Sequence, residues 1–202
     1  MPGAPLFVLA SASPRRRDLL AQIGRGPDLI LNPDIDETPA RHELPAAHAL
    51  RLAREKAEIV ARLPEAAGAI VLGADTVVAC GRRILPKAED EKTARHCLGL
   101  LSGRRHRVIG GIAVVTPGGA ILSRSCTTTV AFKRLEAAEI DDYIGTGEWR
   151  GKAGGYAIQG RAAVFVRFLR GSYSNVVGLP LFETERLLQG LDRAAHGGGG
   201  AP

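Results

Sequence analysis

Residues 7–20 read FVLASASPRRRDLL, and this stretch decides the architecture. Residues 7–10 suit a short strand, residues 11–13 a serine-rich turn, and from Pro14 the pattern becomes helical. Ser13 stands where a helix N-cap belongs and Pro14 where the first helical residue belongs. A strand that passes through a tight turn into a helix is an α/β opening. The free N–H groups of that first helical turn, with Arg15, Arg16 and Arg17 beside them, make an anion site, and phosphate is the usual biological anion for it.

Working outward, apolar β-rich runs alternate with helical patterns, so an α/β fold is expected along the whole chain. Strands are read at 6–10, 29–32, 69–72, 76–80, 106–116, 120–132 and 163–169. Helices are read at 14–23, 46–63, 90–101, 137–144 and 180–188. Gly24 fits the position just past the first helix. Pro117, Gly118 and Gly119 lie between two long β-patterns and signal a hairpin, which predicts a long antiparallel ribbon inside a mixed sheet. No linker composition marks a domain boundary, so residues 1–193 read as one domain, possible division into two lobes included. The glycine-rich residues 194–202 read as a disordered tail.

The composition narrows the function. The chain has 202 residues, is 45% hydrophobic and carries a formal charge of +6. That composition is that of a globular protein, and its basic balance permits nucleic-acid binding but equally suits a pocket for a polyanionic small molecule. No arginine-rich stripe interleaved with aromatics occurs, which places nucleic acid well behind nucleotide as a partner. Cys80, Cys97 and Cys126 lie far apart with no CxxC, which argues for a reducing compartment and against zinc or a disulfide framework. The apolar run at 6–10 is too short for a secretory leader, and no charged segment precedes it. No run approaches the ~20 apolar residues that cross a bilayer. A cytoplasmic protein is expected.

Four single residues stand out chemically. On the predicted helix 46–63, Ala49, Leu52, Ala53, Ile59, Val60 and Leu63 share one arc, while Arg51/Glu55 and Glu58/Arg62 pair on the other side. Lys56 falls inside the apolar arc, where a lysine must snorkel, meet a buried carboxylate or reach an anion site. Asp75 is the sole charge in AIVLGADTVVA (69–79). It is either a turn aspartate with Gly73 as the bend, or a metal ligand or general base at a strand end. Glu37 lies in the acidic cluster DIDET (34–38), a solvated loop unless an anion site nearby calls for a bridging divalent cation. Lys87 by itself reads as a surface charge. The segment GKAGGYAIQG (151–160), with Lys152 and Gln159 as polar members, is glycine-rich without matching a Walker or dinucleotide fingerprint. No Ser-His-Asp or Cys-His arrangement is present, and His42, His48, His96, His106 and His196 lack metal-ligand spacing.

Together the segments LASASPRRRDLL, DIDETP, RLAREKA, LGADTVV, LPKAEDE, LSGRRHRV, KAGGYAIQG and GSYSNVVGLPL resemble, in order and spacing, the Maf family of nucleoside triphosphate pyrophosphatases, over residues 6–188. The resemblance implies an elongated, twisted mixed sheet flanked by helices around a central cleft. It also implies hydrolysis of the α–β bond of a nucleoside triphosphate, with a divalent metal, Mg²⁺ or Mn²⁺, and a homodimeric assembly. Asp75 matches the family's catalytic aspartate, and Ser13, Arg16, Lys56 and Lys87 match phosphate-associated positions. Glu37, with Asp75, matches the metal side of the cleft. Arg15, Thr76 and Gln159 match the specificity positions of the dTTP/UTP branch, whereas the 7-methyl-GTP branch carries Trp, Gln and Glu there. One departure is Lys87-Ala88, where the family has Lys-Pro, with the proline here at Pro86. A nucleotide-sensing role in septum inhibition with little turnover is the alternative from another functional class.

Overall fold

The computed structural model describes residues 5–197. Strand β1 (Phe7–Ala10) feeds helix α1 (Pro14–Gln22), with Ser13 as N-cap residue and Pro14 at the first helical position. Gly24 follows at φ 70°, and its N–H donates to the Ala21 carbonyl, closing the helix as its position foretold. Short β2 (Leu29–Ile30) leads through residues 31–44, which hold neither helix nor strand, into helix α2 (Pro45–Ala61). Strand β3 (Ile70–Cys80) is one continuous strand of 11 residues, not the two expected on either side of Gly73. Then come β4 (Arg83–Leu85), β5 (Lys87–Ala88) and helix α3 (Glu91–Leu101), which Asp90 caps by accepting from the Thr93 N–H.

The expected ribbon is β6 (Arg105–Val115) and β7 (Ile121–Phe132), joined by the Pro117–Gly119 turn. Helix α4 (Ala137–Gly145), β8 (Lys152–Ala153) and a 3₁₀ turn at Arg161–Phe165 follow. That turn replaces the first part of the strand expected at 163–169, and β9 begins only at Val166 (Val166–Arg170). Helix α5 (Tyr173–Val177) and helix α6 (Leu181–Gly197) complete the described residues. Helix α6 outruns the expected 180–188 and enters the segment read as a tail, while residues 198–202 lie outside the described residues. Gly190 does not stop it, because Leu187, Leu188 and Leu191 continue to pack on the sheet and Arg25 ties Glu185 and Asp192 to the end of α1.

The main sheet is mixed, in the order β2-β1-β3-β6-β7-β9, with β4 also on β3. β1 runs parallel to β2 and β3, and the remaining pairings are antiparallel. Helix α2 covers one face and α1 with α6 the other, while α3 and α4 enclose a third apolar cluster around Phe132, Tyr143 and Phe165.

Two glycines set the distance of α2. A Cβ at Gly73 would stand 2.2 Å from the Ala53 carbonyl, and one at Gly111 2.2 Å from that of Ala49. With Ala49, Ala53 and Ala57 facing them, the helix backbone rests directly on the sheet. Lys56, on the same helix, is thereby brought down to sheet level.

Candidate active site

Strand β3 positions the centre of the site by a gap in its pairing. One edge is taken by β6 from Val71 to Ala79. The other is shared end to end by β1, which reaches Gly73, and the antiparallel β4, which ends opposite Val78. Residues 74–77 therefore have no strand partner on that edge, and a cavity of about 370 Å³ opens there. Asp75 and Thr76 both line it. Because side chains alternate along a strand, Asp75 lies on the α2 face with Gly73, and Thr76 on the α1 face.

On the α2 face Asp75 is buried, and so is Lys56. The Lys56 Nζ donates to Asp75 Oδ1 at 2.7 Å and to Glu37 Oε1 at 2.6 Å. The apolar arc of α2 thus places its lysine against a buried carboxylate, one of the outcomes its position allowed. Lys87, carried by β5, donates to the second oxygen of Glu37. Burial would push the Glu37 carboxyl up, but hydrogen bonds and charge from Lys56 and Lys87 prevail and hold it down to about 2.

On the α1 face Arg16 is buried and reaches three acceptors. Nη1 donates to Ser11 Oγ at 2.8 Å, Nη2 to Thr76 Oγ1 at 3.3 Å and Nε to the Gly178 carbonyl at 3.0 Å. Arg15 Nε donates to the Val177 carbonyl at 3.1 Å. Burial lowers the pKa of both guanidiniums, and the nearby Asp75 charge works the other way on Arg16. Ser13 lines the cavity at the start of α1, its side chain making no capping bond. Arg17 points away and pairs with Asp18 at the surface.

All the expected site residues converge on this cavity: Ser13, Arg15, Arg16, Glu37, Lys56, Asp75, Thr76, Lys87 and Gln159, the last exposed at the rim. Arg150 and Lys152 join them. Six cationic side chains face two carboxylates, an excess of four positive charges suited to a triphosphate. Arg150 gave no signal in the sequence, and the two-residue ladder that seats Lys152 beside Ala88 is too short to read there. The Val177 and Gly178 carbonyls were equally silent, since backbone acceptors leave no mark in a side-chain pattern.

Glu37 and Asp75 converge on one ammonium, so their oxygens can approach a common hard cation, and no third His, Cys, Asp or Glu joins them among the described residues. Two carboxylates completed by phosphate oxygens are what Mg²⁺ takes at such sites. The residues fit.

Comparison with known proteins shows what the chain is similar to. A protein from Rhodospirillum rubrum named dTTP/UTP pyrophosphatase is 68% identical over 91% of this chain and 87% of its own. One of the same name from Paramagnetospirillum magneticum is 64% identical over 92% and 97%. Among solved structures, a HAM1 protein from Coxiella burnetii superposes with a TM-score of 0.44 at 18% identity, over 65% of this chain and 75% of that one. The family model described as Maf-like protein matches residues 6–191. The chain belongs to the Maf family.

Proposed function

We propose that the chain hydrolyses dTTP and UTP between the α and β phosphates, consuming water and releasing the monophosphate, pyrophosphate and a proton. The observation that carries this reading is the buried Asp75 carboxylate, held by Lys56 in the open stretch of β3 and facing an excess of positive charge. The names of the two relatives, and Arg15, Thr76 and Gln159 at the specificity positions, support the choice of pyrimidine substrates.

In this mechanism Asp75 orients a water and takes its proton as the oxygen attacks the α-phosphorus in line. Arg16, the N–H groups of the first turn of α1, Lys56 and Lys87 stabilise the charge that develops on the departing pyrophosphate. Ser13 adds a hydroxyl to the same wall. Arg15, Thr76 and Gln159 face the base, where the glutamine amide can both donate to and accept from a pyrimidine edge. Glu37 and Asp75 would hold a divalent cation, Mg²⁺ or Mn²⁺, whose chemistry would be to neutralise phosphate charge. The enzyme acts as a cytoplasmic homodimer, as the family resemblance implies. No helix of the described residues is long and apolar enough to cross a membrane.

The test is pyrophosphate release at catalytic protein concentration with Mg²⁺, from dTTP, UTP and 7-methyl-GTP. The expected result is one pyrophosphate per dTTP or UTP consumed, with 7-methyl-GTP much slower. Tight nucleotide binding without release would favour the sensor, and faster release from 7-methyl-GTP would move the chain to the other branch.

A further inference from the structure

Glu37 sits in the 31–44 connection, which has no helix or strand of its own. Leu31 is tied to the sheet through the Leu9 carbonyl, and the Glu43 N–H donates to Ala40 within the connection. Between these points the connection is held by side chains. Lys56 and Lys87 grip Glu37, and Arg51 of α2 grips the rest. Arg51 Nη2 donates to the Thr38 carbonyl, one residue beyond Glu37, at 3.2 Å. Its Nε and Nη2 take both oxygens of Glu43 at 2.7 and 2.9 Å, and Nη1 takes Glu55 at 3.1 Å. Glu43 in turn accepts from the Ala40 N–H and contacts His48 Nδ1, each at 2.9 Å. Between Thr38 and Glu43 lies His42 at φ 62°, in the left-handed region that histidine enters more readily than most non-glycine residues.

The two grips differ in what a substrate does to them. Lys56 and Lys87 line the cavity, and in the proposed mechanism they turn to phosphate, loosening their hold on Glu37. Arg51 lies outside the cavity lining and has no phosphate to meet. Its bidentate, planar contacts survive the exchange.

We propose that Arg51 is a positioning residue for this site: through Thr38 and Glu43 it fastens the 31–44 connection to α2, so that Glu37 stays at the cleft when Lys56 and Lys87 engage the substrate. The inference rests on the phosphate role proposed for those two lysines.

The test uses the full chain with Arg51→Gln, Arg51→Lys, Glu37→Gln and the double variant Arg51→Gln/Glu37→Gln. Two readouts are followed: pyrophosphate release from dTTP, and tryptic cleavage after Arg41 with and without a non-hydrolysable α,β-imido dTTP. Arg51→Gln is expected to lower kcat about a hundredfold, with a smaller change in KM, because an ångström of misplacement costs on that order. Arg51→Lys, keeping charge but not the planar fork, should fall between it and the wild type. Cleavage after Arg41 should accelerate about tenfold in Arg51→Gln, most of all with the analogue bound. In the Glu37→Gln background, removing Arg51 should add less than about twofold, since both changes act on one group.

Losses that multiply in the double variant, wild-type turnover in Glu37→Gln, or cleavage after Arg41 at the wild-type rate would each overturn the proposal. Should the wild type release no pyrophosphate, the hydrolytic reading falls and the cleavage at Arg41 alone decides the clamp. If Arg51→Gln fails to fold because Glu43 is left unpaired, Arg51→Gln/Glu43→Gln carries the same readouts.

Discussion

On the α2 wall of the cleft, Lys56 and Lys87 are matched by Glu37 and Asp75, whereas on the α1 wall Arg15 and Arg16 hang from backbone carbonyls and hydroxyls. No carboxylate lies within ion-pair distance of Arg15 or Arg16 among the described residues, although Asp75 is near enough for its charge to act on Arg16. Neutral acceptors orient a guanidinium without cancelling its charge. The α1 wall can therefore meet an incoming phosphate with nothing to displace, while the α2 wall must exchange partners. The first arrangement suits anchoring and the second suits chemistry, since carboxylates released from lysines are free to take a proton or a cation.

Breaking the α1 wall should produce the largest effect. Arg16→Met is expected to lower kcat/KM for dTTP about a thousandfold, the scale of removing a preorganised donor from developing charge. Its melting temperature should fall less than that of Lys56→Met, because buried Asp75 keeps its direct partner Lys56 and the Gly178 carbonyl keeps the Thr76 hydroxyl as donor. Steady-state kinetics beside a thermal melt would separate the two.

Removing a cation from the α2 wall should weigh more on stability. Lys56→Met leaves buried Asp75 without its partner and should destabilise the fold by about 3 kcal/mol, as when one member of a buried pair is deleted. A urea titration checks this, and a melt unchanged from wild type would mean the two walls do not differ as described.

The smallest expected effect is on acid sensitivity. The Glu37 carboxyl is held down to about 2 against an ordinary 4.5, so its contribution to stability is present above about pH 4.5 and is lost as pH falls towards 2. The stability difference between wild type and Glu37→Gln should shrink across that window. A difference independent of pH would remove the charge from the explanation.

Much of this contrast could be read from the residues. The run FVLASASPRRR gave the strand, the N-cap position and the cationic turn, because caps and prolines act locally. Lys56 announced itself by breaking an apolar arc. Asp75 was visible as an isolated charge, but the β3 strand around it was expected to break at Gly73. The strand continues because Gly73 serves the close approach of α2, a tertiary need with no local signature. Similarly, the β5–β8 ladder and the carbonyls that hold Arg15 and Arg16 depend on contacts between segments far apart in the chain. The identity of the cleft was therefore legible from its side chains, while the distinction between its walls required the backbone.

Whether Asp75 directs water at the α-phosphorus is decided by hydrolysing dTTP in ¹⁸O-water with wild type and Asp75→Asn. One labelled oxygen is expected in the monophosphate and none in the pyrophosphate, with turnover lost in Asp75→Asn while nucleotide binding persists. Label in the pyrophosphate, or wild-type turnover by Asp75→Asn, would contradict that role.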